Sequence, residues 1–190
     1  MRIGILLYHH VSELEAVGAV AVFSAARTLL DDPEALEVFT VAKSRNSVQT
    51  AAEMTITPTW AFASAPTAAG LVVPGGPGAE AASRDRAVRR YLEPLRGSLE
   101  FVASVGSGAL LLGECGFLAS RSVTTAAYLR EKLEDYEVLR VGGERVLNGE
   151  GGLWSASGGA AALELALAIV RERFGDALAE RVAARLELSR

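Results

Sequence analysis

Short apolar runs recur along this chain, most of them followed by a stretch with helical spacing, and three of them end at His9-His10, Gly75-Gly76 and Gly106-Ser107. This alternation restricts the fold more than any other feature. Residues 2–8, 36–42, 69–73 and 99–105 read as strands, the first of them apolar enough to be buried on both faces. Residues 12–30 follow as a helix, with Leu14, Val17, Ala21, Val22 and Ala25 on one face and Ser12 with Glu15 as a capping box. Further helices are expected over 84–95, 109–115 (with Gly116 as C-cap) and 126–133, and from about 160 with a break at Gly175. A short hairpin is expected within 47–57. Shorter strands are expected at 123–125 and 153–155, and at 138–141 and 145–147 joined by the Gly142-Gly143 turn. Strands alternating with helices predict a flavodoxin-like three-layer α/β sandwich, a mostly parallel sheet with helices on both faces, as one domain over residues 1–190.

Composition narrows the function classes. Half the residues are hydrophobic and the net charge is -4 without long charged runs, which fits a folded globular chain and disfavours bulk-charge binding to nucleic acid or an anionic membrane. No apolar run reaches membrane-spanning length, and the opening segment MRIGILLY is too short for a signal peptide, so a cytoplasmic protein is expected. The single cysteine, Cys115, excludes an internal disulfide and a CxxC metal site. It lies in an apolar stretch and reads as a buried, inert thiol.

Ligands of open parallel sheets bind beyond the carboxyl ends of the strands. Three features fall there: His9-His10, Gly75-Gly76 and Gly106-Ser107. The run Val102-Ala103-Ser104-Val105-Gly106-Ser107-Gly108-Ala109 passes from strand to helix through a tight turn with the shape of a nucleophile elbow. Gly106-x-Gly108 is not a dinucleotide fingerprint, because the next glycine is Gly113 and no acidic ribose partner stands out.

On these motifs the chain resembles the ThiJ/PfpI family of class I glutamine-amidotransferase-like proteins, and within it the isocyanide hydratase-like members. The first strand, Leu14-Glu15-Ala16-Val17-Gly18-Ala19, the Pro74-Gly75-Gly76 turn, the elbow, Val123-Thr124-Thr125 and Ser155-Ala156-Ser157-Gly158-Gly159-Ala160 occur in the family's order. The resemblance implies that the family's nucleophilic cysteine falls at Gly106, its frequent histidine at Ala126 and the proline of its acidic motif at Ala19. Glycine takes positive φ without a Cβ penalty, so it keeps the turn while removing the nucleophile.

The resemblance also makes Glu15 the candidate functional carboxylate, against the alternative of a helix-capping glutamate. The candidate binding pocket comprises Gly75, Gly76, Gly106 and Ser107, with the N–H groups of Gly76 and Ser107 as an oxyanion-hole-like pair. His9 and His10 read either as a surface pair or as one partner for Glu15. No metal and no cofactor are expected. The expected function is a non-catalytic small-molecule-binding, stress-related or regulatory protein. The alternatives are a hydratase- or hydrolase-like enzyme in which Glu15 activates water, and a structural protein. Family resemblance implies a homodimer, for which the alanine-rich last helices offer an interface.

Overall fold

A computed structural model describes residues 1–188; the last two residues of the expected 1–190 domain lie outside the described residues. The elements are β1 (Arg2–Leu6), α1 (Glu13–Leu29), β2 (Glu37–Ala42), β3 (Val48–Gln49), β4 (Thr55–Ile56), β5 (Trp60–Ala61), β6 (Gly70–Val73), α2 (Ala79–Arg84), α3 (Arg86–Leu92), β7 (Phe101–Val105) and α4 (Gly108–Glu114). They continue with β8 (Ser122–Thr124), α5 (Arg130–Leu133), β9 (Arg140–Gly142), β10 (Val146–Asn148), β11 (Leu153–Ala156), α6 (Ala161–Phe174) and α7 (Asp176–Arg185).

Seven strands form the main sheet in the order β10-β11-β7-β6-β1-β2-β5, parallel throughout except for the edge strand β10. Counting only β1, β2, β6, β7 and β11, this is the 2-1-3-4-5 order of flavodoxin-like sheets, and the order reverses between β1 and β6. Every residue of β6 and β7 is buried, as apolar strands covered on both faces must be. Helices α1, α6 and α7 pack together on one face, and α2, α3 and α4 on the other.

The buried face of α1 keeps Val22 and Ala25 of the expected set but not Leu14 and Val17. Leu14 and Val17 are about half exposed, at 49% and 48%, while Glu15, Ala16, Gly18, Ala19, Val22 and Phe23 are buried. Small residues let α1 lie close to α6, whose Ala161, Ala162 and Ala166 are also buried. Those alanines are therefore used within the chain and are not left for a partner.

Three local expectations change. The helix expected over 84–95 starts earlier and is broken at Asp85, whose extended backbone ends α2 and whose carboxylate caps α3 by accepting from the Ala87 N–H at 2.7 Å. The helix expected over 126–133 is a 3₁₀ turn followed by the single turn of α5. Strands β9 and β10 do not form a hairpin across Gly142-Gly143: β9 pairs in parallel with β8, and β10 pairs antiparallel with β11. The 47–57 hairpin is formed, pairing Val48 with Ile56.

At the end of β7 the chain turns directly into α4. A Cβ on Gly108 would run into the carbonyl oxygens of Val73 and Pro74, so glycine is what allows α4 to start against the end of β6.

Candidate active-site cleft

Segments following β1, β6, β7 and β11 meet above the carboxyl edge of the sheet. They enclose a cleft of about 470 Å³ bordered by Ser12, Glu15, Gly76, Gly106, Ser107, Ala126, Tyr128 and Ser157–Gly159. The cleft lies beside the reversal in strand order, where a doubly wound sheet opens a crevice.

Glu15 is its floor. Ser12 caps α1 through its hydroxyl, which accepts from the Glu15 N–H at 3.4 Å. The reciprocal half of the capping box does not form, because the Ser12 N–H donates instead to the Gly75 carbonyl at 2.8 Å. The Glu15 carboxylate is free to cross the cleft: Oε2 accepts from the Gly75 N–H at 2.6 Å and Oε1 from the Gly159 N–H at 2.7 Å. Only 6% of the residue is exposed. Burial raises its pKa above the ordinary glutamate value; the Gly159 and Gly75 N–H groups act in the opposite direction, and Glu13 adds a smaller upward push. No cation contributes to holding the charge.

Gly106 faces this carboxylate. Its φ is +50°, a conformation that favours glycine. Its N–H donates to the Ala156 carbonyl at 2.9 Å, and its carbonyl accepts from the Thr125 hydroxyl at 2.8 Å, so the turn is tied on both sides. A Cβ here would stand 3.3 Å from Glu15 Oε1, 3.3 Å from Gly158 Cα and 3.8 Å from Glu15 Oε2. The space left by the missing side chain therefore borders both carboxylate oxygens.

Of the expected pair of N–H donors, that of Gly76 is taken and that of Ser107 donates to no acceptor. The Gly76 N–H donates to Ser107 Oγ at 2.9 Å, and that hydroxyl donates to the Gly76 carbonyl at 3.0 Å. The Ser107 hydroxyl thus donates its proton to a backbone carbonyl, and no histidine lines the cleft beside it. Gly75 contributes through its bond to Glu15 and does not line the cleft.

Both histidines are exposed and neither lines this cleft. His9 borders a second cleft of about 290 Å³ beyond the ends of β1 and β2, with Leu7, Ala42, Phe62, Val88 and the Lys43–Asp85 ion pair. A His–Glu15 pair is thus not formed. Cys115 is buried at the end of α4, and burial pushes its thiol up to about 11. Among the described residues no group of three His, Cys, Asp or Glu side chains is placed to hold a metal ion, and no helix is long and apolar enough to cross a membrane.

Three contributors were not singled out in the sequence. Gly159 supplies the second anchor of Glu15; the Gly158-Gly159 turn was visible, but nothing local says that its N–H meets a carboxylate 144 residues earlier. Tyr128 stands at the mouth with 80% of its surface exposed. Tyr8 lies buried beneath the wall, donating to the Pro74 carbonyl at 2.6 Å, and burial with the nearby Glu15 charge holds its hydroxyl well above the usual tyrosine value.

The model of the DJ-1/PfpI family matches residues 1–172. Isonitrile hydratase of Pseudomonas putida is 27% identical over 187 residues, covering 98% of this chain and 78% of that protein. The crystal structure of a ThiJ/PfpI family protein from Pseudomonas syringae superposes with a TM-score of 0.91 at 26% identity, covering 100% of this chain and 75% of the other. Drosophila melanogaster DJ-1beta superposes with a TM-score of 0.87 at 21% identity, covering 100% and 98%, a likeness of fold.

Proposed function

Because this chain belongs to the DJ-1/PfpI family, we propose that it uses the family's cleft to bind a small molecule without thiol chemistry. The observation that carries this reading is Gly106: the turn from β7 to α4 has φ +50° there, faces the carboxylate of Glu15 and presents no side chain. Elbow geometry exists to display a nucleophile above the sheet. Glycine at the apex and the burial of Cys115 at the end of α4 leave no thiol facing the cleft. A regulatory or stress-related role would then rest on ligand occupancy.

The test is turnover. Purified protein is mixed with a small alkyl isonitrile, and formation of the N-substituted formamide is followed. No product above the buffer rate is expected. An enzyme-like rate that disappears in Glu15→Gln would sink the proposal.

That outcome would establish the second reading, which the raised pKa of Glu15 and the resemblance to isonitrile hydratase favour. A protonated Glu15 would give its proton to the terminal isonitrile carbon, water would add to that carbon, and a proton from the added water would return to Glu15. Loss of the remaining proton on oxygen and gain of one on nitrogen yield the formamide, so that R–NC and H₂O become R–NH–CHO.

We also propose that the chain forms a homodimer. Exposed Leu14 and Val17 on α1 lie near the β3–β4 hairpin, which carries exposed Met54 and whose Ala52 N–H donates to Glu13. A sedimentation profile of a monomer at micromolar concentration would rule this out.

A further inference from the structure

Four loop N–H groups around the cleft are already committed. Gly75 and Gly159 donate to Glu15, Gly76 donates to Ser107, and Gly106 donates to Ala156. An incoming oxyanion finds the Gly76 N–H taken and keeps the Ser107 N–H, which donates to no acceptor. It also meets the carboxylate of Glu15, with Glu13 close behind it. No lysine, arginine or histidine borders the cleft.

For a hydrogen-bond donor the same space is open. Each Glu15 oxygen accepts one N–H in the observed bonds, whereas a carboxylate has about four lone-pair sites in all. A Cβ at Gly106 would stand 3.3 Å from Glu15 Oε1 and 3.8 Å from Oε2, so the narrow space there borders both oxygens. At the mouth, the exposed ring of Tyr128 offers a π-face, the other surface that attracts a cation. A buried carboxylate without a counter-cation is unfavourable in the free protein, and a bound cation would relieve it.

We infer that the Glu15 cleft takes a small primary amine in its ammonium form, seated beside Gly106 against the Glu15 carboxylate and below Tyr128, and that it discriminates against carboxylates. This rests on the small-molecule-binding reading above and specifies the ligand class of that site. Charge complementarity inside a recessed site gives the selectivity, because an ammonium gains attraction there while a carboxylate of the same size is repelled.

The experiment compares three probes of similar size, n-propylammonium, propionamide and propionate, titrated into the protein near neutral pH. Backbone amide shifts of Gly106, Ser157 and Gly158 report occupancy of this cleft. Propylammonium is expected to bind about tenfold or more tighter than propionate, with a dissociation constant in the millimolar range suited to so small a ligand. Glu15→Gln should abolish that preference. If Glu15→Gln fails to fold, Gly106→Ala takes its place: its methyl enters the gap beside the carboxylate and should weaken propylammonium binding severalfold.

Equal or tighter binding of propionate overturns the inference, as does propylammonium binding that neither variant weakens. Binding of propionamide alone also overturns it while leaving the small-molecule reading intact. Failure of all three probes to shift those amides defeats the inference and counts against the small-molecule reading as well.

Discussion

Two clefts open at the carboxyl edge of the same sheet, separated by the segment after β1 and the Gly75–Gly78 turn, and they treat their carboxylates in opposite ways. In the cleft beyond β2, Asp85 caps α3 and pairs with Lys43 at 3.0 Å; the Ala87 N–H and the lysine hold its carboxyl below the usual aspartate value. Beside Gly106, Glu15 is buried with two N–H donors and no cation, and its pKa goes up. Asp85 is thus satisfied by local structure and a cation, while Glu15 is held by two N–H groups from distant segments and by no cation. Perturbed carboxylates in clefts mark functional sites when no structural partner accounts for them.

Removing the two carboxylates should break this contrast most visibly. Glu15→Ala leaves the Gly75 and Gly159 N–H groups without their charged acceptor and should cost about 3 kcal/mol in urea unfolding. Asp85→Ala loses a helix cap and an exposed ion pair and should cost about 1 kcal/mol. Equal losses would mean that Glu15 is no more than another cap.

Gly106→Cys sharpens the comparison from the other side of the cleft. A non-glycine residue at φ +50° should cost about 1 kcal/mol. The new thiol should be alkylated by iodoacetamide well before Cys115, as read by peptide mass spectrometry, because Cys115 is buried and its thiol is pushed up to about 11. Exclusive labelling of Cys115 would show that the elbow does not face open space.

The two sites should also respond to pH with opposite signs. Glu15 has a folded pKa above 4.5, so its contribution to stability is fully present below 4.5 and is lost as pH rises through the folded value. Wild type should therefore gain on Glu15→Gln as pH falls across that window. Asp85 has a folded pKa below 3.8, so its contribution is present above 3.8 and is lost as pH falls through the folded value. Wild type should lose its advantage over Asp85→Asn on acidification. Unfolding curves at several pH values decide both, and parallel slopes would refute the contrast.

The smallest effect belongs to Lys43→Met. The Lys43 side chain is 66% exposed, and an exposed ion pair contributes little, so the change should stay within about 0.5 kcal/mol by thermal unfolding. A larger loss would mean that the second cleft depends on the pair for its shape.

Much of the fold was legible because parallel strands buried on both faces must be continuous apolar runs, and those of β1, β6 and β7 are. The turn at Gly106 was legible because a tight strand-to-helix connection needs small residues. The boundary at Asp85 was less so, since the helical spacing runs on through the break and only the cap to Ala87 shows where the chain bends. The outward position of Leu14 and Val17 was not legible, because close approach to α6 selected alanine and glycine for that side of α1.

The sequence by itself determined the strand-helix alternation, the turns that end β6 and β7, and the presence of glycine at the elbow, because each depends on local backbone preference or on periodic burial. Only the tertiary structure decided that Glu15 leaves the end of its own helix to join the β6 turn to the turn after β11, that the Gly76 N–H is taken by Ser107, and that His9 belongs to the other cleft. Those are contacts between segments 31 to 144 residues apart or a choice between two sides of one wall. Hydrogen-bond partners at that separation follow from how the sheet brings its strand ends together, and local sequence preference does not specify them.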